Sequence, residues 1–376
     1  MRKTRFLFVG RTRYRLPLDE SRRRKFAALT AVADIRVLAS APAGAPRGDD
    51  VFTLVRPFPV RALDGVAFHA LLPWRVAREL RGFRPTVVLV QGAHEAALAL
   101  LGRALARGRV PIVLDVHGDW RTATRLYGSP ARRLLNPVAD RVAAWAIRRV
   151  DAIRTVSDFT TALVRELGVE PTATFPAFMD LEPFLTPPVP LPLRPRALFI
   201  GVLELYKGLD LLAEAWPLVA QDVPEAELRL IGSGSRADLV RRMVDRGPNV
   251  TWESEVEPEE VAAELDRATC LVLPSRREGM GRVVVEAFCR GRGVVGTRGG
   301  GIEDLVRDGE SGLLVPSDDV RALAAALVRV LTDQELAERL AFGARAGSEQ
   351  WYASPQEFAS RLRALVDGLD GARVGG

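Results

Sequence analysis

Lysine is scarce in this chain of 376 residues: Lys3, Lys25 and Lys207 stand against 50 arginines. Composition favours arginine wherever a generic positive charge would do, so each lysine asks for a specific reason. Cysteine is scarcer still. Cys270 and Cys289 are the only two, and both fall in apolar runs, which excludes a disulfide framework and predicts packed thiols in a reducing compartment. The three histidines, His69, His94 and His117, are too widely spaced to read as metal ligands. No two aspartates are separated by a single residue, so closely spaced paired carboxylates of that kind are not on offer to a metal. No apolar stretch approaches the ~18 residues of a membrane span, and the apolar core of the opening MRKTRFLFVGRTRYR is too short for a signal peptide. These shortfalls predict a cytoplasmic protein.

Charge is present but unevenly placed. In residues 1–180, 30 Lys and Arg against 16 Asp and Glu give +14; in residues 181–376, 23 against 31 give −8, which together return the chain's +6. The basic half is the side for an anionic partner: an anionic membrane surface, with peripheral placement at its inner face, or a phosphate-bearing acceptor. RTRYRLPLDESRRRK at 11–25 is the stretch to test, and a solvated arginine-rich face explains the asymmetry equally well. Zinc-finger spacing, RNP-like runs and aromatic-interleaved basic stretches are all lacking, which predicts no nucleic acid partner.

What the chain does have is 48% apolar and 27% charged residues, an ordinary globular composition with room for about two domains. RFLFVG, DIRVLAS, TVVLVQG, PIVLDVHG and AIRTVS read as buried strands alternating with helices, the pattern of a parallel sheet. The proline-rich PAFMDLEPFLTPPVPLPLRPR interrupts it, and ALFIGV, ELRLIGSG, NVTWES, CLVLPS, GVVGT and GLLVP resume it. The expected division is a first domain over 1–180, a linker over 181–196, a second domain over 197–350, and a helical segment over 351–376 that returns to the first. The fold class is α/β, with two doubly wound parallel sheets.

Three stretches of the second half carry chemistry. LIGSGSRADL sets Gly232 and Gly234 between a strand and a helix, a partial dinucleotide fingerprint that keeps an NAD-binding oxidoreductase open as an alternative, although no acidic residue follows at the next strand. FIGVLELYKGLDLLAEAW ends a strand at Gly201 and opens a helix at Lys207-Gly208, where a compact ammonium and free helical N–H groups suit a diphosphate. REGMGRVVVEAFCRGRG puts Glu278 at a strand's carboxyl end, the ligand edge of an open parallel sheet, and Glu286 in the following helix, where pairing with Arg282 and Arg290 is the structural alternative. A carboxylate suits a vicinal diol.

EGMGRVVVEAFCRGRGVVGTRGGGIEDLVRDGESGLLVP, with the strand-Lys-Gly element before it, resembles the donor domain of the family-four retaining glycosyltransferases (glycosyl transferases group 1). The resemblance is specific over residues 195–320. It is looser over the first half, where DVHGDW and IRTVSDFTTALVRELG resemble that family's histidine loop and a late strand-helix segment. It implies the GT-B fold, two Rossmann-like domains facing a cleft, with the nucleotide-diphosphate sugar on the second and the acceptor, a glycan, a lipid-linked species or a small molecule, on the first. By position it implies Lys207 on the diphosphate, Glu278 on the sugar hydroxyls, Glu286 on the ribose diol, and Gly201, Gly279, Met280, Gly281 and Arg282 around the donor. His117 would face the transferred sugar. It implies metal-independent front-face transfer with no resident cofactor, the nucleotide sugar being a co-substrate; a nucleotide-sugar-binding protein without turnover is the other alternative. The chain departs from the family at Val202, where an arginine usually gives a second diphosphate contact, at Gly10, which leads into arginines rather than a second glycine, and at Glu303, where proline is usual. Arg282 and the arginines of GRTRYR are the candidates to replace the missing contact.

Overall fold

The computed structural model describes residues 4–46, 48–58, 64–121 and 136–374. These fold as two units, a first that runs to Phe178 and resumes from Ala353, and a second, Met179–Tyr352.

The first unit is a seven-stranded parallel sheet of β1 (Arg5–Arg13), β2 (Asp34–Ser40), β3 (Phe52–Val55), β4 (Val87–Gln91), β5 (Ile112–Val116), β6 (Ala152–Thr155) and β7 (Ala173–Thr174), in the order β3-β2-β1-β4-β5-β6-β7. The second is a six-stranded parallel sheet of β8 (Arg196–Ile200), β9 (Glu227–Ile231), β10 (Val250–Glu253), β11 (Cys270–Leu273), β12 (Gly293–Thr297) and β13 (Gly312–Val315), in the order β10-β9-β8-β11-β12-β13. The central strands are apolar throughout because helices cover both faces: every residue of β11 and β12 is buried. Each sheet reverses its strand order once, between β1 and β4 and between β8 and β11, and such reversals open a crevice at the strands' carboxyl ends.

All eleven strand runs read from the sequence are strands. The two not read from it, β3 and β7, are edge strands of four and two residues, too short for alternation to register. The helix Asp158–Arg165 begins in a reciprocal capping box between Ser157 and Thr160. The last helix, Pro355–Val374, packs Phe358, Ala359, Leu362 and Val366 into the first unit's core beside Phe6, Phe26 and Phe52, and Arg363 Nη1 donates to Val32 O at 2.8 Å. The proline-rich stretch is tied to the second unit. Arg292, 1% exposed, donates to the carbonyls of Val189, Pro190, Leu265 and Asp266, and Arg290 to those of Thr186 and Pro187. Prolines cannot complete their own ladder, so guanidinium groups satisfy the exposed carbonyls instead. Both cysteines are buried and free, and burial pushes Cys270 up to about 12 and Cys289 to about 11, which leaves them unreactive.

Candidate functional site

In the second unit the two strands at the reversal each deliver a loop. After β8, Gly201 leads through an exposed Val202 into the short 3-10 turn Leu205–Lys207 and then Gly208, which opens the helix Leu209–Asp222. Gly208 is left-handed at φ 67°, and a Cβ there would stand 1.9 Å from Pro274 O. Only glycine lets the turn lie against the segment that follows β11. That segment carries Glu278. Lys207, 7% exposed, donates from Nζ to Glu278 Oε2, and the ammonium also lies 5.3 Å from the Tyr206 ring centroid. A buried ammonium needs a counter-charge, and Glu278 provides it. An ammonium has three N–H bonds, so one remains available to a ligand beside the ring contact and the carboxylate.

Arg276 locks the two loops together. Its guanidinium makes a bidentate pair with Asp210 at 2.8 Å, donates to Leu205 O at 2.9 Å and to Asp318 at 2.7 Å, while its main-chain N–H reaches Tyr206 O at 2.8 Å. Burial alone would raise the Asp210 carboxyl, but the Arg276 pair outweighs it and holds it below its ordinary range. Nothing in the sequence marks Arg276, one arginine among 50.

Glu278 also closes a second loop. Its carbonyl accepts from Gly301 N at 2.7 Å, and Glu278 pairs with Gly300 in a parallel bridge. A Cβ on Gly300 would stand 2.6 Å from Glu278 O, and one on Gly301 would stand 2.2 Å from Gly279 O. These glycines therefore serve backbone-to-backbone packing around Glu278 and Gly279. Beyond them Met280 is buried, Gly281 takes the left-handed conformation at φ 66°, and the helix Arg282–Cys289 begins. Arg282 is exposed, and Glu286 sits one turn further along, partly buried, with no hydrogen-bond partner for its carboxylate among the described residues. Burial raises the Glu286 carboxyl; the Arg282 charge pulls the other way and does not offset it. The expected pairing of Glu286 with Arg290 does not form, because Arg290 is committed to Asp266 at 2.6 Å and to the proline-rich segment.

The partial dinucleotide fingerprint has a different explanation. A Cβ on Gly232 would stand 1.9 Å from Gly201 O and one on Gly234 would stand 2.6 Å from Leu203 O, while Leu203 N donates to Ser233 O and Glu204 accepts from Ser235. The glycines are required by the neighbouring loop, and this removes the observation that favoured NAD. Of the replacements considered for the missing arginine, Arg11 and Arg13 are engaged in the first unit with Asp64, at 3.2 and 3.5 Å.

In the first unit His117 follows β5, the strand next to β4 at the other reversal. It lines a cavity of about 470 Å³ with Thr12, Gln91, Asp119 and Trp120. His117 Nε2 donates to Asp115 Oδ2 at 2.8 Å, and Arg154 Nη1 donates to both Asp115 oxygens at 2.7 and 2.8 Å. Burial by itself would raise the Asp115 carboxyl, but His117, Arg154 and Lys25 together lower it to about 2. An ionised Asp115 holds the Nε2–H tautomer and leaves Nδ1 as the free ring nitrogen. Neither Asp115 nor Arg154 stands out in the sequence, since 39 residues separate them. His69 and His94 lie elsewhere, on Glu95 and on the Ala139 carbonyl.

Residues 194–333 match the family described as glycosyl transferases group 1, and residues 27–182 match glycosyltransferase family 4. The chain is 29% identical over 282 residues to a glycogen synthase of Mycobacterium tuberculosis, covering 70% of this chain and 64% of that protein, so the match spans just under two thirds of the relative's length. It is 28% identical over 294 residues to a phosphatidyl-myo-inositol mannosyltransferase of Mycolicibacterium smegmatis, covering 77% of this chain and 72% of that one. Among solved structures, the sucrose-phosphate synthase of Thermosynechococcus elongatus superposes with a TM-score of 0.78 at 20% identity, over 98% of this chain and 100% of that chain. The Anabaena protein HepE, in complex with UDP-glucose, superposes with a TM-score of 0.70 at 16% identity, over 96% and 99%.

Proposed function

We propose that this chain, which has the GT-B fold and is related to the glycosyltransferases of group 1 and family 4, is a retaining glycosyltransferase that moves a sugar from a nucleotide-diphosphate donor to an acceptor hydroxyl. The observation that carries the reading is the buried Lys207 ammonium paired with Glu278 at the β8/β11 reversal, one helical segment from a Glu286 carboxylate left without a hydrogen-bond partner among the described residues. In this reading Lys207 takes the diphosphate, Glu278 the sugar hydroxyls and Glu286 the ribose diol, with Gly201, Gly279, Met280, Gly281 and Arg282 around the donor. His117 and its cavity stand on the acceptor-binding unit. The transfer is front-face: the bond from the anomeric carbon to the diphosphate breaks, the acceptor oxygen bonds to that carbon on the same face, and the departing phosphate oxygen takes the acceptor's proton. Lys207 supports the charge that develops on the leaving group, so the step needs no metal. We place the protein in the cytoplasm; among the described residues no helix is long and apolar enough to cross a membrane.

A thermal-shift panel of UDP, GDP, ADP and NAD tests the donor site, since a ligand at 100 times its dissociation constant adds about 2.7 kcal/mol. A shift with one nucleoside diphosphate and none with NAD is expected. A shift with NAD alone would overturn the reading, and nucleotide binding without donor hydrolysis or transfer would reduce it to a binding protein. Chelator is expected to leave turnover unchanged; loss of activity restored by magnesium or manganese would refute the metal-free step.

The two carboxylates separate in their effects. Glu286→Gln is expected to weaken nucleotide binding, and Glu278→Gln to lower turnover. Because burial raises the Glu286 carboxyl, its ionised form destabilises the empty fold at every pH above the unfolded-state value. Glu286→Gln should therefore melt at or above the wild-type temperature at pH 7 while binding nucleotide less well. A variant that loses stability and keeps full affinity would show a packing role instead.

A further inference from the structure

We propose that the first unit docks on an anionic lipid surface through the outer face of three adjacent helices, Asp64–Gly82, Ala93–Leu105 and Asn136–Ile147, and not through the basic stretch 11–25. The cations of the basic stretch are mostly engaged in place, which restrains their side chains, although the stretch stays net positive. Arg11 and Arg13 pair with Asp64, Arg22 with Asp19 at 3.0 Å and Arg23 with Glu20, while Lys25 lies over the rings of Phe26, Phe178 and Phe358.

The three-helix face is different. Gly102 lets the first two helices touch, since a Cβ there would stand 2.7 Å from Pro73 O, and His94 Nε2 donates to Ala139 O at 3.2 Å between the second and third. Of the seventeen exposed large apolar side chains among the described residues, eight lie on these helices. Trp74 is 64% exposed and Leu71 48%; Leu101 and Leu105 are 50% and 44%; Val142 and Trp145 are both 39%. Two exposed tryptophans on one face are costly in water and suit a membrane interface, where the ring is apolar and the indole N–H stays wet.

Charge selects the occupant. Arg78 and Arg81 are exposed beside Trp74, Arg141 beside Val142, and Arg149 lies 5.5 Å from the Trp145 ring centroid. The acids of these helices have partners: Asp64 takes Arg11 and Arg13, Glu79 is buried on Arg36 with the exposed Arg78 guanidinium 3.9 Å away, and Glu95 accepts from His69. Asp140 is the fourth acid of these helices and is only partly exposed. The face is thus apolar with a positive border, which complements anionic headgroups over a shallow apolar layer. A second copy meeting it face to face would bring arginines against arginines, which disfavours a dimer.

Docking of this kind is independent of the proposed transfer reaction and is tested with the full chain by co-sedimentation with phosphatidylglycerol-phosphatidylcholine vesicles and with phosphatidylcholine alone. Wild type is expected to bind the anionic vesicles, less at high salt, and to bind neutral ones roughly tenfold more weakly or not at all. Trp74→Ala/Trp145→Ala and Arg81→Glu/Arg141→Glu should each lose about tenfold in binding, with an unchanged nucleotide-induced shift and a folded melting transition, because all four side chains are exposed. Arg22→Glu/Arg23→Glu should bind like wild type. Absent binding to anionic vesicles, equal binding to neutral ones, undiminished binding by the helix-face variants, or loss confined to the Arg22/Arg23 variant would each overturn the proposal, as would a wild-type dimer that the tryptophan variant dissolves.

Discussion

Lys207→Ala is expected to lower turnover by roughly 30- to 1,000-fold, a loss of about 2 to 4 kcal/mol of transition-state stabilisation by analogy with other preorganised electrostatic groups. Lys207 is 7% exposed, and holding an ammonium there is worthwhile to the fold only because Glu278 balances it. That pairing leaves donor capacity free in the empty protein, and the pair's two loops are fixed by Gly208 against Pro274 and by Arg276 across both. Little reorganisation is then needed when charge builds on a departing diphosphate, which is the condition under which a fixed positive group is most effective. The loss should appear in kcat more than in the donor KM, because the contact strengthens as the leaving group departs.

Lys207→Arg separates charge from shape and should fall between wild type and alanine. A guanidinium needs a forked partner and more volume than an ammonium, and Lys207 is 7% exposed, so the larger planar group must fit among packed neighbours. Because Glu278 loses its partner in the alanine variant, the single losses of Lys207→Ala and Glu278→Gln should not add in the double variant. Steady-state transfer, or donor hydrolysis where the acceptor is unidentified, measures wild type and all four variants. Wild-type turnover in Lys207→Ala would make the lysine a structural counter-ion to Glu278 and would place the diphosphate elsewhere.

Composition explains which of these residues could be read from the sequence. Lys207 stands out because lysine is rare here, whereas Arg276 and Arg154, which hold the two sites together, are hidden by an abundance of arginine. Glu278 is legible from its place after a buried strand, and that strand and ten others are legible because both faces of each sheet are covered. The two-residue β7 and the edge strand β3 are not, having too little length to show a period. Glycines mislead in one place. Gly232 and Gly234 look like phosphate binders, but their partners are the carbonyls of Gly201 and Leu203, a relation between segments some thirty residues apart that local pattern cannot reveal.

The same blindness to distant pairs covers Arg154, whose replacement carries the largest stability loss expected in the first unit. Arg154→Met should destabilise by about 3 to 5 kcal/mol, the range for removing one partner of a buried ion pair. The guanidinium is 1% exposed, lies 4.1 Å from the Phe175 ring centroid, and donates to both Asp115 oxygens and to the carbonyls of Phe175 and Pro176 at 3.0 and 2.7 Å. Methionine fills the space and leaves a carboxylate and two carbonyls without their donor. Asp115 also sets the pH response. Its carboxyl is lowered from 3.8 to about 2, so the stability it contributes is complete above the unfolded value and is lost as pH falls through the folded one, an effect of about 2 kcal/mol. Without Arg154, burial has only His117 and Lys25 to oppose it, so the folded-state value of the carboxyl rises and protonation costs the variant less than it costs wild type. Urea unfolding from neutral pH down to about pH 2 would show the gap between the variant and wild type narrowing as the carboxyl protonates. Asp115→Asn/Arg154→Met, which buries no unpaired charge, should recover part of the loss. An Arg154→Met protein with the wild-type midpoint and acid profile would mean that the guanidinium contributes packing alone, and His117 would then owe its orientation to Asp115 without support from behind.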